Sequence, residues 1–373
     1  MKLKHSARVK VYQYVIAAIA LIIAFTPSLY AGMSQADLRV VVTALGIDKD
    51  KEGKITLSAI TIVPQEAEPF AIHHVVTAEG DTISAALQNL SVRTGKLPET
   101  GHCEILILSK KSAEAGVDAE LKFLFCAGVV SGGATVLVSE GEAAKFLEEE
   151  AELNDKAIRI NNIIRYARRG AHVVIRTLHE YLSETASVSR CTVLPVTTIK
   201  DEEHKGIETA AIFDWEGKLV KVLDKKQTAG VALLDRKTKS GTITVSDFEI
   251  DGKNLGNISA RLRGKSARVN VEEGEDGLRA TITLAVRIRL PERHILASFW
   301  NDAASQRHAN ELLEIKFAEE IKSKINAAAD AAKETKKDIL GVMQSLHRSD
   351  RNLFAANLDS SIEYIVEVSC RLE

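Results

Sequence analysis

Aromatic residues are scarce in this 373-residue sequence, at 5%, and only 6 prolines occur. Neither a proline-rich linker array nor a nucleic-acid binder built on aromatic stacking fits that composition. An excess of one charge is also missing. Lys and Arg total 49 against 51 Asp and Glu, for a formal net charge of −2, so no bulk attraction to nucleic acid is expected. A mean hydropathy of −0.03 excludes a polytopic membrane protein while leaving room for one span. The 4 cysteines, Cys103, Cys126, Cys191 and Cys370, lie too far apart for a CxxC redox pair or a zinc knuckle. They are also too few to form a disulfide framework in so long a chain. No cysteine precedes Cys103 to carry a lipid near the N-terminus. Cys370 alternates with Val368 and Leu372 and reads as a thiol packed in a core.

Motifs that impose a reaction are missing as well. His179-Glu180 begins like a zinc-protease helix but places Ser183 where the second histidine must stand. There is no GxSxG elbow, and Gly132-Gly133 is not followed by the Gly-Lys-Ser/Thr of a phosphate loop. His73 and His74 are adjacent on an expected strand, so they face opposite sides and cannot chelate one ion. His102, beside Gly101 and just before a strand, reads as a structural histidine rather than a ligand. A hydrolase assembled from dispersed carboxylates is a third reading. The expectation is nevertheless a protein that is not an enzyme and holds no catalytic, cofactor or metal site.

What is present begins at the N-terminus. Lys2, Lys4, Arg8 and Lys10 precede a run from Val11 to Ala36 that carries no charge, with an apolar centre from Val15 to Phe25. A positive flank before an apolar stretch keeps the N-terminus in the cytoplasm and exports the polypeptide beyond it. A signal peptide would be cut after Leu29-Tyr30-Ala31. An anchor from Val11 to Ala31 would span the bilayer, because about 20 residues at ~1.5 Å rise cover its hydrocarbon core. The anchor is favoured, since Leu29 is an imperfect third-from-last residue for cleavage.

Beyond this segment, 45% apolar and 27% charged residues indicate ordinary globular structure, in two or three domains at this length. Leu38–Ile47 and Ile55–Val63 read as strands of a hairpin around the polar turn at 48–53. A helix follows from about Asp81, with Ile83, Ala86, Leu87 and Leu90 on one face, Asp81 or Thr82 as its cap and Gly95 as its stop. Strands are expected at 103–109 and 134–139, with a helical stretch from Ser112 between them. From Asn154 to about Ser183 the pattern is helical and basic, with Arg159, Arg165, Arg168, Arg169 and Arg176 read as a solvated face. Cys191–Ile199 is extended again, and the polar 201–206 segment marks a boundary.

The second half shows period-two alternation from Leu278 to Leu290, which indicates a strand with one buried and one wet face. Shorter runs at 241–245, 258–262 and 267–271 are separated by turn signals and complete an antiparallel sheet. A long helix from about Ala304 to Thr335, apolar at Leu312, Ile315, Ala318, Ile321, Ile325 and Ala328, should cover that sheet, with Ile362–Leu372 as a final strand. The expected class is α+β: an N-terminal membrane segment (1–32), mixed α/β structure (33–200), and a C-terminal antiparallel sheet packed with one long helix (201–373).

Four stretches resemble the C subunit of bacterial spore germinant receptors, the GerAC-like family. They are Val42-Thr-Ala-Leu-Gly-Ile-Asp48 with the next strand; Gly80 through Leu90, His102, Ile105–Ser109 and Ala115-Gly116; Glu208-Thr-Ala-Ala-Ile-Phe213 with Gly217–Val220; and Lys336-Lys-Asp-Ile-Leu-Gly341 with His347-Arg348. The motif positions singled out, for structure or interaction, are Gly46, Asp48, His102, Gly116, Phe213, Asp338 and Gly341. The resemblance implies a non-enzymatic accessory subunit on the outer face of the inner spore membrane. There it would work with A- and B-type integral-membrane subunits in nutrient-triggered germination. Two departures stand out: the family's lipobox cysteine is missing, and Leu340 occupies a position where Phe is common. An extracytoplasmic solute-binding or envelope scaffold protein is the alternative.

Overall fold

The computed structural model describes residues 14–19, 21, 38–63, 72–152, 157–199, 205–250, 252–275, 277–291, 303–358 and 360–373. Most of the apolar N-terminal run lies outside them. Residues 14–19 are helical, and among the described residues no helix is long and apolar enough to cross a membrane.

The first half is built on one mixed sheet. Its strands are β1 (Arg39–Lys49), β2 (Ile55–Val63), β3 (Ile72–Gly80), β4 (Leu97–Glu99), β5 (Ile105–Ser109), β6 (Thr135–Ser139), β7 (Arg176–Thr177), β8 (Cys191–Ile199), β9 (Lys205–Asp214) and β10 (Leu219–Leu223). The order is β10-β9-β8-β6-β5-β1-β2-β3, with β4 beside β1 and β7 beside β6. The centre is parallel, β1 to β5, β5 to β6 and β6 to β8, while hairpins close both edges. Every residue of β5 and β6 is buried, as expected of parallel strands covered on both faces.

Helices supply that cover. On one face, α1 (Ile83–Thr94), α2 (Lys110–Ala115), α3 (Asp118–Cys126) and α6 (Leu178–Thr185) pack with Leu45, Leu106, Val136 and Phe213. On the other, α4 (Ala143–Glu152) and α5 (Ala157–Ala167) pack with Ala44, Ile105 and Leu137. Strand alternation sends neighbouring side chains to the two cores. Thr82 caps α1, accepting from the Ala85 N–H, and Gly95 ends it in the left-handed region at φ 66°.

The basic stretch expected as one helix over 154–183 is two. It breaks after Ala167, and Val173 and Val174, both buried, run into β7 before α6 begins. Adjacent β-branched side chains that must bury on different sides suit extended chain better than helix. Glu180, next to His179 in the zinc-like pattern, completes a capping box with Thr177 at the start of α6, a structural role.

Strand β8 ends before the polar 201–206 segment and β9 begins within it at Lys205; the two pair antiparallel in the first sheet, with Cys191 opposite Asp214 and Ile199 opposite Lys205. Helix α7 (Lys225–Leu234) then leads to a second sheet of β11 (Gly241–Val245), β14 (Ile258–Gly274), β15 (Gly277–Arg289) and β16 (Ile362–Leu372). A small ribbon, β12 (Glu249–Ile250) with β13 (Lys253–Asn254), lies between β11 and β14 in sequence. The two short strands expected at 258–262 and 267–271 are one bulged strand, β14, with its irregularity between Leu262 and Gly264.

The second sheet is not wholly antiparallel. Strand β16 runs parallel to β15, Leu278 beside Ile362 and Ile288 beside Leu372. The cause is the long helix α8 (Ala303–Thr335), which carries the chain back along the sheet so that the next strand starts where β15 started. The buried face of α8 is Ala309, Leu313, Phe317, Ile321 and Ile325. Of the expected positions Ile321, Ile325 and Ala328 are buried, whereas Leu312 and Ala318 are half-buried and Ile315 is exposed, so the face differs in the first half of the helix. Steps of four hold Leu313, Phe317 and Ile321 on one row, and Phe317 brings the largest apolar area to that row. Helices α9 (Val342–Ser349) and α10 (Arg351–Ala356) precede β16.

One further core joins the two sheets. Val193, Ala210 and Ile212 of the first meet Ala280 and Ile282 of the second through Val231 and Ala232 of α7 and Ala328 and Ala332 of α8. Small residues set the helix spacing there. A Cβ on Gly230 of α7 would sit 2.1 Å from the Lys324 carbonyl oxygen of α8.

Candidate functional site

The seven motif positions fall in separate places. Gly46 and Asp48, near the end of β1, hold α4. A Cβ on Gly46 would lie 3.0 Å from Leu147 Cδ1 and 3.1 Å from Ala143 Cβ, so the helix packs closely on the strand and a side chain there would push its neighbours by a few tenths of an ångström. Two residues on, the Asp48 carboxylate accepts from the Ala143 and Ala144 N–H groups, each at 2.9 Å. Lys49 points the other way. Its Nζ donates to the Gly116 carbonyl at 2.6 Å and pairs with Glu120 at 2.7 Å, fixing the α2–α3 junction.

Gly116 itself has φ 98°, a region that strains any residue with a Cβ. The next N–H, of Val117, donates to the Gly217 carbonyl in the β9–β10 turn at 3.1 Å. Phe213 is fully buried in β9 and meets Tyr181 edge-on, ring centroids 6.5 Å apart. Burial raises the Tyr181 hydroxyl above its ordinary value, with Asp118 and Asp214 adding to the shift. His102 stands apart, exposed in a short 3-10 turn before β5.

Asp338 and Gly341 lie where the halves join. The Asp338 carboxylate accepts from the N–H groups of Val342 (2.6 Å), Met343 (3.0 Å) and Gln344 (3.3 Å), capping α9, and from Ser189 Oγ at 2.6 Å. It therefore ties the loop before β8 to the second half. Burial raises its carboxyl above the usual range, while the bonds from Ser189 and the helix N–H groups work the other way. Gly341 adopts φ 72° to turn the chain into α9. Leu340 is buried in the joining core, so leucine in place of phenylalanine still fills apolar space.

A cavity of about 810 Å³ opens at this junction, lined by the 187–193 segment, the end of α7, the β14 bulge and residues 338–348. Sequence reasoning missed it, because its walls come from four distant segments. Arg176 on its wall is paired with Glu184 at 2.7 Å and Asp235 at 2.8 Å. It is not on a solvated face as expected, since only 12% of its side chain is exposed. Burial opposes its charge, and Asp235 and Glu184 more than offset that. Lys265 Nζ donates to the carbonyls of Ala232, Leu233 and Asp235 at the C-terminal end of α7, where the helix dipole favours a cation. Its burial pulls the ammonium down to about 8.

No disulfide forms, since Cys103, Cys126, Cys191 and Cys370 are all free thiols. Burial pushes Cys103 and Cys370 up to about 12, which leaves both protonated and unreactive. Among the described residues no three His, Cys, Asp or Glu side chains converge as a metal site.

Two family models match the chain in sequence order. Residues 34–199 match the spore germination protein N-terminal domain, and residues 208–371 match the spore germination B3/GerAC-like C-terminal domain. The chain belongs to the GerAC-like family of spore germination proteins. That family is one of germinant receptor C subunits rather than an enzyme family. The crystal structure of the GerBC protein aligns with this GerAC-like chain over 88% of its length and 96% of the other, with a TM-score of 0.52 and 14% identity. At that identity the likeness shows the shared fold, mixed α+β. No curated protein matches the sequence.

Proposed function

We propose that this GerAC-like protein is a non-enzymatic accessory subunit of a spore germinant receptor. On this reading it is attached to the membrane through its N-terminal segment and acts outside the cytoplasm. It would work by contact with the A- and B-type integral-membrane subunits in nutrient-triggered germination. The observation that carries the reading is the pair of family matches, which together take in the chain from residue 34 to residue 371. The charged run Lys2–Lys10 and the uncharged stretch after it support attachment, since a spanning helix inserts almost irreversibly whereas one acyl chain binds only marginally.

Deleting the gene in a spore former is expected to abolish or slow the response to at least one nutrient. The full chain should restore it, and a chain lacking residues 1–32 should not. Cross-linking in intact spores should join the protein to multi-span membrane subunits. Unchanged germination with every nutrient tried, together with recovery of the tagged protein in the soluble fraction, would overturn the reading.

A further inference from the structure

We propose that the cavity at the junction of the two halves binds a small anion carrying two or more negative charges on phosphate or carboxylate oxygens. The acids that line it are already committed: Glu184 and Asp235 to Arg176, and Asp338 to the first turn of α9 and Ser189. Four cations that line it are not. Among the described residues no carboxylate pairs with Arg236, Lys239, Arg263 or Arg348. Like charges gathered around a concavity repel one another, and its low-dielectric walls focus their field onto whatever enters.

The chemistry of these groups selects the ligand. Three of the four are arginines, whose planar fork matches two oxygens of a phosphate or carboxylate at once. A volume of about 810 Å³ lies within the ~300–1,000 Å³ range of small-molecule sites and exceeds what a monovalent ion fills. The cations also come from separate segments. Arg236 and Lys239 follow α7, Arg263 stands at the β14 bulge and Arg348 lies on α9. A ligand with several anionic oxygens has a partner to find on each of these three segments, which a single-charge ion does not need. Lys265 takes no part, because its ammonium is held by three carbonyls.

The test is titration calorimetry on the full chain at constant ionic strength, with pyrophosphate and citrate as probes and chloride as control. Saturable one-site binding of a probe is expected. The double variant Arg263→Gln/Arg348→Gln should weaken it at least about tenfold. Arg279→Gln, in an ion pair with Glu363 on the second sheet, should leave it unchanged. Both mutated arginines are exposed, so folding should survive; Arg236→Gln/Lys239→Gln is a second variant with the same expectation. A parallel arm uses vesicles of cardiolipin, whose headgroup carries two phosphates, and phosphatidylcholine. Sedimentation with them that needs Arg263 and Arg348 assigns a lipid headgroup, and binding in solution assigns a free anion. No saturable binding in either arm, or binding by the double variants equal to that of the unaltered chain, overturns the proposal. Neither readout involves germination, so its failure is distinct from failure of the receptor assignment.

Discussion

Asp48 at the end of β1 accepts a 2.9 Å hydrogen bond from the backbone N–H of Ala143, and its second oxygen accepts one from Ala144 at the same distance. A strand near the start of the fold thus caps a helix that begins about a hundred residues later. The helix places Phe146 and Leu147 in the core under β1, so the carboxylate sets where that packing starts.

Asp48→Ala is expected to destabilise the protein by about 1–2 kcal/mol, the loss of a side-chain helix cap. Asp48→Asn keeps one acceptor oxygen and should lose less. Urea denaturation with an unchanged m-value measures both. An alanine variant as stable as the unaltered protein would show that the cap contributes nothing.

Gly230 offers a test of opposite sign to the usual rule. Replacing a helix-interior glycine with alanine ordinarily gains up to about 1 kcal/mol. Here the added methyl would meet the Lys324 carbonyl oxygen at 2.1 Å, forcing α7 away from α8. Overpacking of this kind costs about 1–3 kcal/mol, so Gly230→Ala should lower the denaturation midpoint. A higher midpoint would mean the two helices are not in this close contact.

Lys265 should make stability depend on pH. Burial lowers its folded-state value to about 8 from an ordinary 10.5. Between those values the unfolded chain holds more protons than the folded one, so stability rises with pH across that window. Below about pH 8 the ammonium is charged in both states and the difference is constant. The stability of the unaltered protein relative to Lys265→Met should therefore be flat below pH 8 and climb from 8 towards 10.5. Equilibrium unfolding at stepped pH measures it, and a flat difference throughout would contradict the burial argument.

Local readings carried over well where one face of an element decides the pattern. Thr82 and Gly95 bracket α1 because capping depends on chemistry within four residues. The alternation from Leu278 to Leu290 is β15, since a half-wet strand shows its period in composition. Helix α4 has no local start signal of this kind, because the carboxylate that caps it, Asp48, lies far away in the chain. The basic stretch reads as exposed for a related reason. Arg176 looks like a surface charge until Asp235, from beyond the polar boundary, is folded against it.

The uncharged run near the N-terminus, the family pattern and the identity of most strands and helices were determined by the sequence alone, through side-chain period, caps and ordered short motifs. The tertiary structure decided the direction of β16, which residues in the first half of α8 face the sheet, the sharing of one core by both halves and the basic cavity between them. Each of these depends on contacts between residues far apart in the chain, and neither residue type nor spacing encodes which distant partner a side chain will meet.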